Sequence, residues 1–156
     1  MPSIIPLELT AIEDDGFHIM VEVFVNGVSA RMLVDTGASR SVFDQERISR
    51  FFEGKPELAI NEKESTGLGT RDMVSQGLYL EELRIGELKI RSYPAVVLDM
   101  SHVNLSYNEL DLPPIDGVLG SDILMKYGAV INYGKRAMRI NLRRKKLSVK
   151  KSADDQ

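Results

Sequence analysis

The sequence predicts a mainly β, single-domain protein with one short helix near residues 121–127. Three observations lead there. Apolar residues alternate with a period of two in the first third, Ile19, Val21, Val23 and Val25 on one side against His18, Met20, Glu22 and Phe24 on the other. Short glycine-containing turns, Asn26-Gly27 foremost, interrupt the apolar runs at hairpin spacing. The chain has 156 residues, 43% of them hydrophobic, which suits one core and is short for two.

After Asn26-Gly27, Ser29 to Val34 returns as the partner strand and ends at Asp35. Ser41 to Phe52 mixes apolar and polar residues and suits a short turn or helix. Glu57 to Tyr79 reads as two strands joined through Thr66-Gly67-Leu68-Gly69-Thr70, where two glycines flank one apolar residue. A second hairpin has Leu80, Leu83 and Ile85 before Gly86-Glu87, then Leu88 and Ile90, and leads into the buried run Ala95-Val96-Val97-Leu98. Residues 99 to 114 are polar, end in Leu112-Pro113-Pro114, and predict a connecting loop with at most a turn of helix near Ser101 to Asn108. The helix itself is expected over Asp122 to Tyr127, capped by Gly120 or Ser121, favoured by Asp122 at its first turn and stopped by Gly128. Ala129 to Tyr133, a Gly134-Lys135 turn and Ala137 to Leu142 give a closing hairpin. No internal repeat stands out, which argues against two fused halves.

Composition removes several kinds of chemistry. There is no cysteine, hence no disulfide framework and no thiol nucleophile. His18 and His102 lack partners at ligand spacing, so metal catalysis is disfavoured and no cofactor is expected. The N-terminus has no basic segment followed by a long apolar one, and no apolar stretch approaches the ~18 residues that cross a bilayer. The reading is a soluble, cytoplasmic protein without a membrane partner. Net charge is −3, but Arg143 to Lys151 holds six positive charges and no negative ones, while residues 1 to 142 hold 14 basic and 21 acidic side chains. A nucleic-acid arm is one reading of that segment; without interleaved aromatics for base stacking, a solvated tail is preferred. The expected organisation is a domain over 1–142 and a basic, flexible tail over 143–156.

The chemistry concentrates at Leu33-Val34-Asp35-Thr36-Gly37-Ala38-Ser39, an apolar strand running into an acid, a small hydroxyl residue and a glycine. A pair of carboxylates sharing one proton activates water for hydrolysis, because two like charges so close cannot both ionise. The chain carries one such acid turn, so the second carboxylate is expected from another copy of the chain, in a homodimer.

That segment, together with Ile115-Asp116-Gly117-Val118-Leu119-Gly120-Ser121-Asp122-Ile123-Leu124, resembles the retropepsin-like aspartic proteases, single-domain relatives of pepsin that include retroviral proteases. The resemblance spans roughly residues 15 to 142. It implies a closed β-barrel and an aspartic endopeptidase acting on a peptide or protein substrate. Asp35 from each subunit would be catalytic, with Thr36 bonding across the interface and Gly37 supporting the loop. Ala38 would line the substrate cleft, and Gly67, Leu68 and Gly69 would form a flap over it. Val118, Leu119 and Gly120 would thread beside the catalytic loop. Ser39 and Arg40 stand where viral enzymes carry acids, and Ser121 where they carry an arginine, so the ion network that supports the viral dimer is not encoded. Asp116 lacks the following Thr/Ser-Gly and is read as a turn or capping residue rather than the second catalytic acid. The alternative function is a catalytically silent peptide-binding or dimerisation module on the same fold.

Overall fold

The computed structural model describes residues 1–14, 16–54, 59–60 and 76–144. Strands β1 (Pro2–Ile12), β2 (Gly16–Val25) and β3 (Val28–Val34) follow one another antiparallel. The Asn26-Gly27 turn pairs Val25 directly with Val28, and its two residues have φ of 50° and 81°. A two-residue turn matching the strand twist needs both residues left-handed, which is why Asn and Gly stand there. Asn26 also ties the turn to its surroundings, donating from Nδ2 to the Phe51 carbonyl (3.2 Å) and accepting from the Glu82 N–H (3.2 Å).

The remaining elements are β4 (Val42–Asp44), a 3-10 turn at Ile48–Phe51, β5 (Ala59–Ile60), β6 (Gln76–Ile85), β7 (Leu88–Leu98), α1 (Ser101–Glu109), β8 (Gly117–Leu119), α2 (Ser121–Lys126), β9 (Val130–Asn132) and β10 (Ala137–Asn141). Six strands close a barrel in the order β2-β3-β8-β4-β7-β6, sealed where Phe24 and Val25 of β2 pair with Arg84 and Leu83 of β6. Most neighbours are antiparallel, but β3–β8 and β4–β7 are parallel. Val23, Val25, Met32, Phe43, Leu80, Leu83, Ile85 and Leu119 fill the interior. Burial of such side chains contributes roughly 1.5–3 kcal/mol each and is the main force closing the ring.

Two elements depart from the expectation. The N-terminal segment is an eleven-residue strand. The sequence reading assigns it no element, and its Ser3, Ile5 and Leu7 alternate inward. The strand changes partner at Pro6: Pro2–Pro6 pairs with β10, and Leu7–Ile12 with β2. The segment expected as a loop with a turn of helix near Ser101 to Asn108 carries the nine-residue helix α1. Tertiary contacts hold it. Tyr107 is buried with Met20, Met100, Ile115 and Val118 in a second apolar cluster, and Asn104 exchanges hydrogen bonds with the Ile115 backbone. The expected 122–127 helix is found at Ser121–Lys126, and Gly128 follows it at φ 57°. The closing hairpin is β9–β10. Gly67, Leu68 and Gly69 lie outside the described residues, as does the tail from Lys145; Ala59 and Ile60 pair antiparallel with Gly77 and Gln76 on either side of that gap.

Candidate active site

Parallel pairing of β3 with β8, Met32 to Gly117 through Val34 to Leu119, sets Asp35 at the exit of a strand locked into the barrel. The Asp35 N–H continues the ladder to the Leu119 carbonyl at 3.0 Å. Beyond it the chain turns sharply: the Gly37 N–H donates to Asp35 Oδ1 (2.9 Å) and the Ala38 N–H to the Asp35 carbonyl (3.1 Å). One carboxylate oxygen is thereby held. Asp35, Thr36 and Gly37 are exposed and Ala38 is half-buried. Val118, Leu119 and Gly120, expected beside this loop, are buried behind it.

Gly120 approaches this loop closely. A Cβ there would come within 2.8 Å of the Ala38 carbonyl oxygen and of the Arg40 carbonyl carbon and oxygen, all of them backbone atoms with no freedom to swing away. The Ser121 N–H donates to the Ala38 carbonyl (2.8 Å) and the Gly120 N–H to Ser41 Oγ (2.8 Å). Ser41 Oγ in turn donates to Asp122 Oδ1 (2.7 Å), and the Ser41 N–H reaches both Asp122 oxygens at 3.0 Å. Neither Ser41 nor Asp122 was expected as part of this site. Their bond joins residues 81 apart, and no local pattern in the sequence signals it.

Asp116 is committed elsewhere. Its carboxylate is buried and accepts from the Arg31 N–H (2.8 Å), Arg47 Nε (2.8 Å), Arg50 Nε (2.9 Å) and the Arg50 terminal nitrogen (2.6 Å). Burial opposes its ionisation most strongly, but the Arg50, Arg31 and Arg47 donors together outweigh that and hold its pKa below the ordinary carboxylate value. Instead of a turn or cap, Asp116 anchors the 3-10 turn to the strand that carries Asp35. A cavity of about 540 Å³ lies against β1–β3, lined among others by Pro6, Glu8, Met20, Glu22, Arg31 and Pro113. Among the described residues no three His, Asp or Glu side chains gather as a metal would require, and no helix is long and apolar enough to cross a membrane.

A strand-borne aspartate in an Asp-Thr-Gly turn, backed by an apolar-apolar-glycine segment that leads into a helix, coincides with the span of a family match: the model for the aspartyl protease family covers residues 21–123. The chain belongs to the aspartyl protease family. Among solved structures, this aspartyl protease is similar in fold to a retropepsin-like aspartic protease from Rickettsia conorii, with 20% identity and a TM-score of 0.53 over 90% of this chain and 89% of that one. An EIAV protease complexed with the inhibitor HBY-793 aligns at 19% identity and a TM-score of 0.48, covering 74% and 92% of the two chains. The retroviral protease-like domain of Ddi1 from Leishmania major aligns at 14% identity and a TM-score of 0.47, covering 78% and 86%. No sequence among curated proteins matches this aspartyl protease. The closed barrel is the retropepsin-like fold that the two motifs implied.

Proposed function

We propose that this aspartyl protease is an endopeptidase whose active site forms between two copies of the chain, each contributing Asp35. The observation that carries the reading is the state of that carboxylate: it stands exposed at the end of a barrel strand, with Oδ1 held by the Gly37 N–H. A buried structural acid would be saturated with donors, as Asp116 is. Across a two-fold axis the two Asp35 groups share one proton and a water. One carboxylate removes a proton from that water as it attacks the scissile carbonyl, and the protonated one donates to the carbonyl oxygen. No bond forms between enzyme and substrate.

Thr36 bonds to the opposite loop and keeps the two carboxylates coplanar. Ala38, small and half-buried, leaves room for an extended peptide that pairs with the cleft as an added strand. Residues 1–142 make up the catalytic domain. The test is cleavage of an unstructured peptide library between acidic and neutral pH by the wild type and by Asp35→Asn. Cleavage lost in the variant while its fold and dimer persist supports the peptidase; wild-type cleavage that survives the substitution overturns the assignment of Asp35.

A further inference from the structure

We propose that Asp122, acting through Ser41, is a positioning residue that sets where Asp35 sits in the active site. The proposal takes its catalytic consequence from the peptidase reading above, and its structural part stands separately.

The segment from Asp35 to Ser41 is a seven-residue loop between β3 and β4. The hydrogen bonds described that leave its backbone all end on Leu119 to Asp122. Two of them, from the Asp35 N–H to Leu119 and from the Ser121 N–H to Ala38, join backbone to backbone, and the first continues the β3–β8 ladder. The third, at the far end of the loop, needs a side chain. There the Asp122 carboxylate gathers the Ser41 N–H, the Ser41 hydroxyl and the Ile123 N–H, while the same hydroxyl accepts the Gly120 N–H. A carboxylate acceptor makes such bonds roughly twice as strong as neutral ones. Asp122 takes part in none of the ion pairs among the described residues, so these donors are what its charge is spent on.

Burial divides the pair in a useful way. Ser41 is 1% exposed, whereas Asp122 faces solvent. Without the carboxylate, two buried donors on the loop lose their acceptor, yet no cavity opens in the core. The loop is then free to shift at one end and Asp35 with it, while the barrel stays intact. Tyr93 senses the same charge: burial first, then Asp122, pushes its phenol up to about 12, with the Ser41 hydroxyl and Arg40 acting the other way.

The experiment compares the wild type with Asp35→Asn, Asp122→Ala, Asp122→Asn and Ser41→Thr. It reads kcat and KM on one cleaved peptide, and amide hydrogen exchange across residues 35–41. It also reads the affinity of two inhibitors, a peptide with a hydroxyethylene in place of the scissile amide and its counterpart lacking the hydroxyl. Asp122→Ala is expected to lower kcat by about ten- to a hundredfold, the effect of sub-ångström to 1 Å misplacement, with KM within about threefold. The hydroxyl-bearing inhibitor should weaken by the same factor and the other should bind as before, while exchange at the Asp35 and Ser41 amides speeds up. Ser41→Thr, which keeps the hydroxyl, should stay close to wild type, and Asp122→Asn, which keeps one acceptor oxygen, should fall between. Wild-type kcat and exchange in Asp122→Ala overturn the proposal. So does an equal loss of both inhibitors together with a general fall in stability, which would mark a structural role alone. If even the wild type fails to cleave, the peptidase reading falls, and exchange decides the clamp: unchanged protection of the loop in Asp122→Ala overturns it.

Discussion

Asp35 and Asp116 are carboxylates beside the parallel strand pair β3–β8, and their surroundings are opposite. Asp35 faces solvent with one N–H on one oxygen; Asp116 is 1% exposed and takes four N–H donors, three of them from guanidinium groups. The difference sets their costs of removal. Asp116→Ala leaves Arg47 and Arg50 without their counter-charge and should destabilise the fold by about 3 kcal/mol in urea titrations, the scale for a broken buried pair. The pH dependence has a definite sign. Because Asp116 is held below its ordinary value of 3.8, the pair contributes its full stability above that value. The contribution fades as pH falls from there through the lower, folded value. Asp116→Asn should therefore have a flatter urea midpoint than the wild type below about pH 4 and a constant offset above about pH 5. Parallel curves throughout would contradict the role given to the arginines.

Among the elements, the loop 35–41 and the segment 117–122 form one unit joined by close backbone approach at Gly120. Gly120→Ala puts a methyl group against three backbone atoms at 2.8 Å, and overpacking of this kind costs about 1–3 kcal/mol. We expect a lower melting temperature together with at least a tenfold loss of peptide cleavage, read by scanning calorimetry and by kcat; wild-type activity would show that the loop adapts without moving Asp35. How much of this unit was legible depended on distance along the chain. Asp35, the Asn26-Gly27 turn and helix α2 are written in contiguous residues, through alternation, turn chemistry and a stop glycine. The Ser41–Asp122 bond and the arginine cluster around Asp116 join residues 66 to 85 apart, and composition or periodicity does not encode such pairs. Helix α1 is legible near Ser101 to Asn108 only as a turn within a loop, for a related reason. Its Ser, Asn and His residues have weak helical propensity, and it is held by Tyr107 and Asn104 against partners elsewhere. Strand β1 was masked by Pro2 and Pro6, which sit in the stretch that pairs with β10.

For the whole molecule, the proposed site, with one acid turn per chain, would make activity a property of pairs. Dilution should lower specific activity as dimers separate. A sharper test mixes wild type with an equal amount of Asp35→Asn and lets subunits exchange. If both carboxylates are needed, only wild-type pairs cleave, and activity per total protein falls to about a quarter of that of the undiluted wild type, since random pairing leaves that share. A value near one half would mean that each chain works alone.

Parallel pairing of β3 with β8 also fixes an order of events. Among the described residues, the outside anchors of the Asp35 turn come from residues 119–122, about eighty positions later. A chain emerging from the ribosome can close the Asn26-Gly27 hairpin early, from neighbours in sequence, but the far side of the Asp35 turn has no anchor until residues 119–122 have been made. Such long-range closure is slow, and it places the Asp35 turn among the later features to become ordered. The nascent chain thus carries its aspartate in an unassembled form until that segment emerges, a period in which its own unfolded segments would be the nearest peptides to cut.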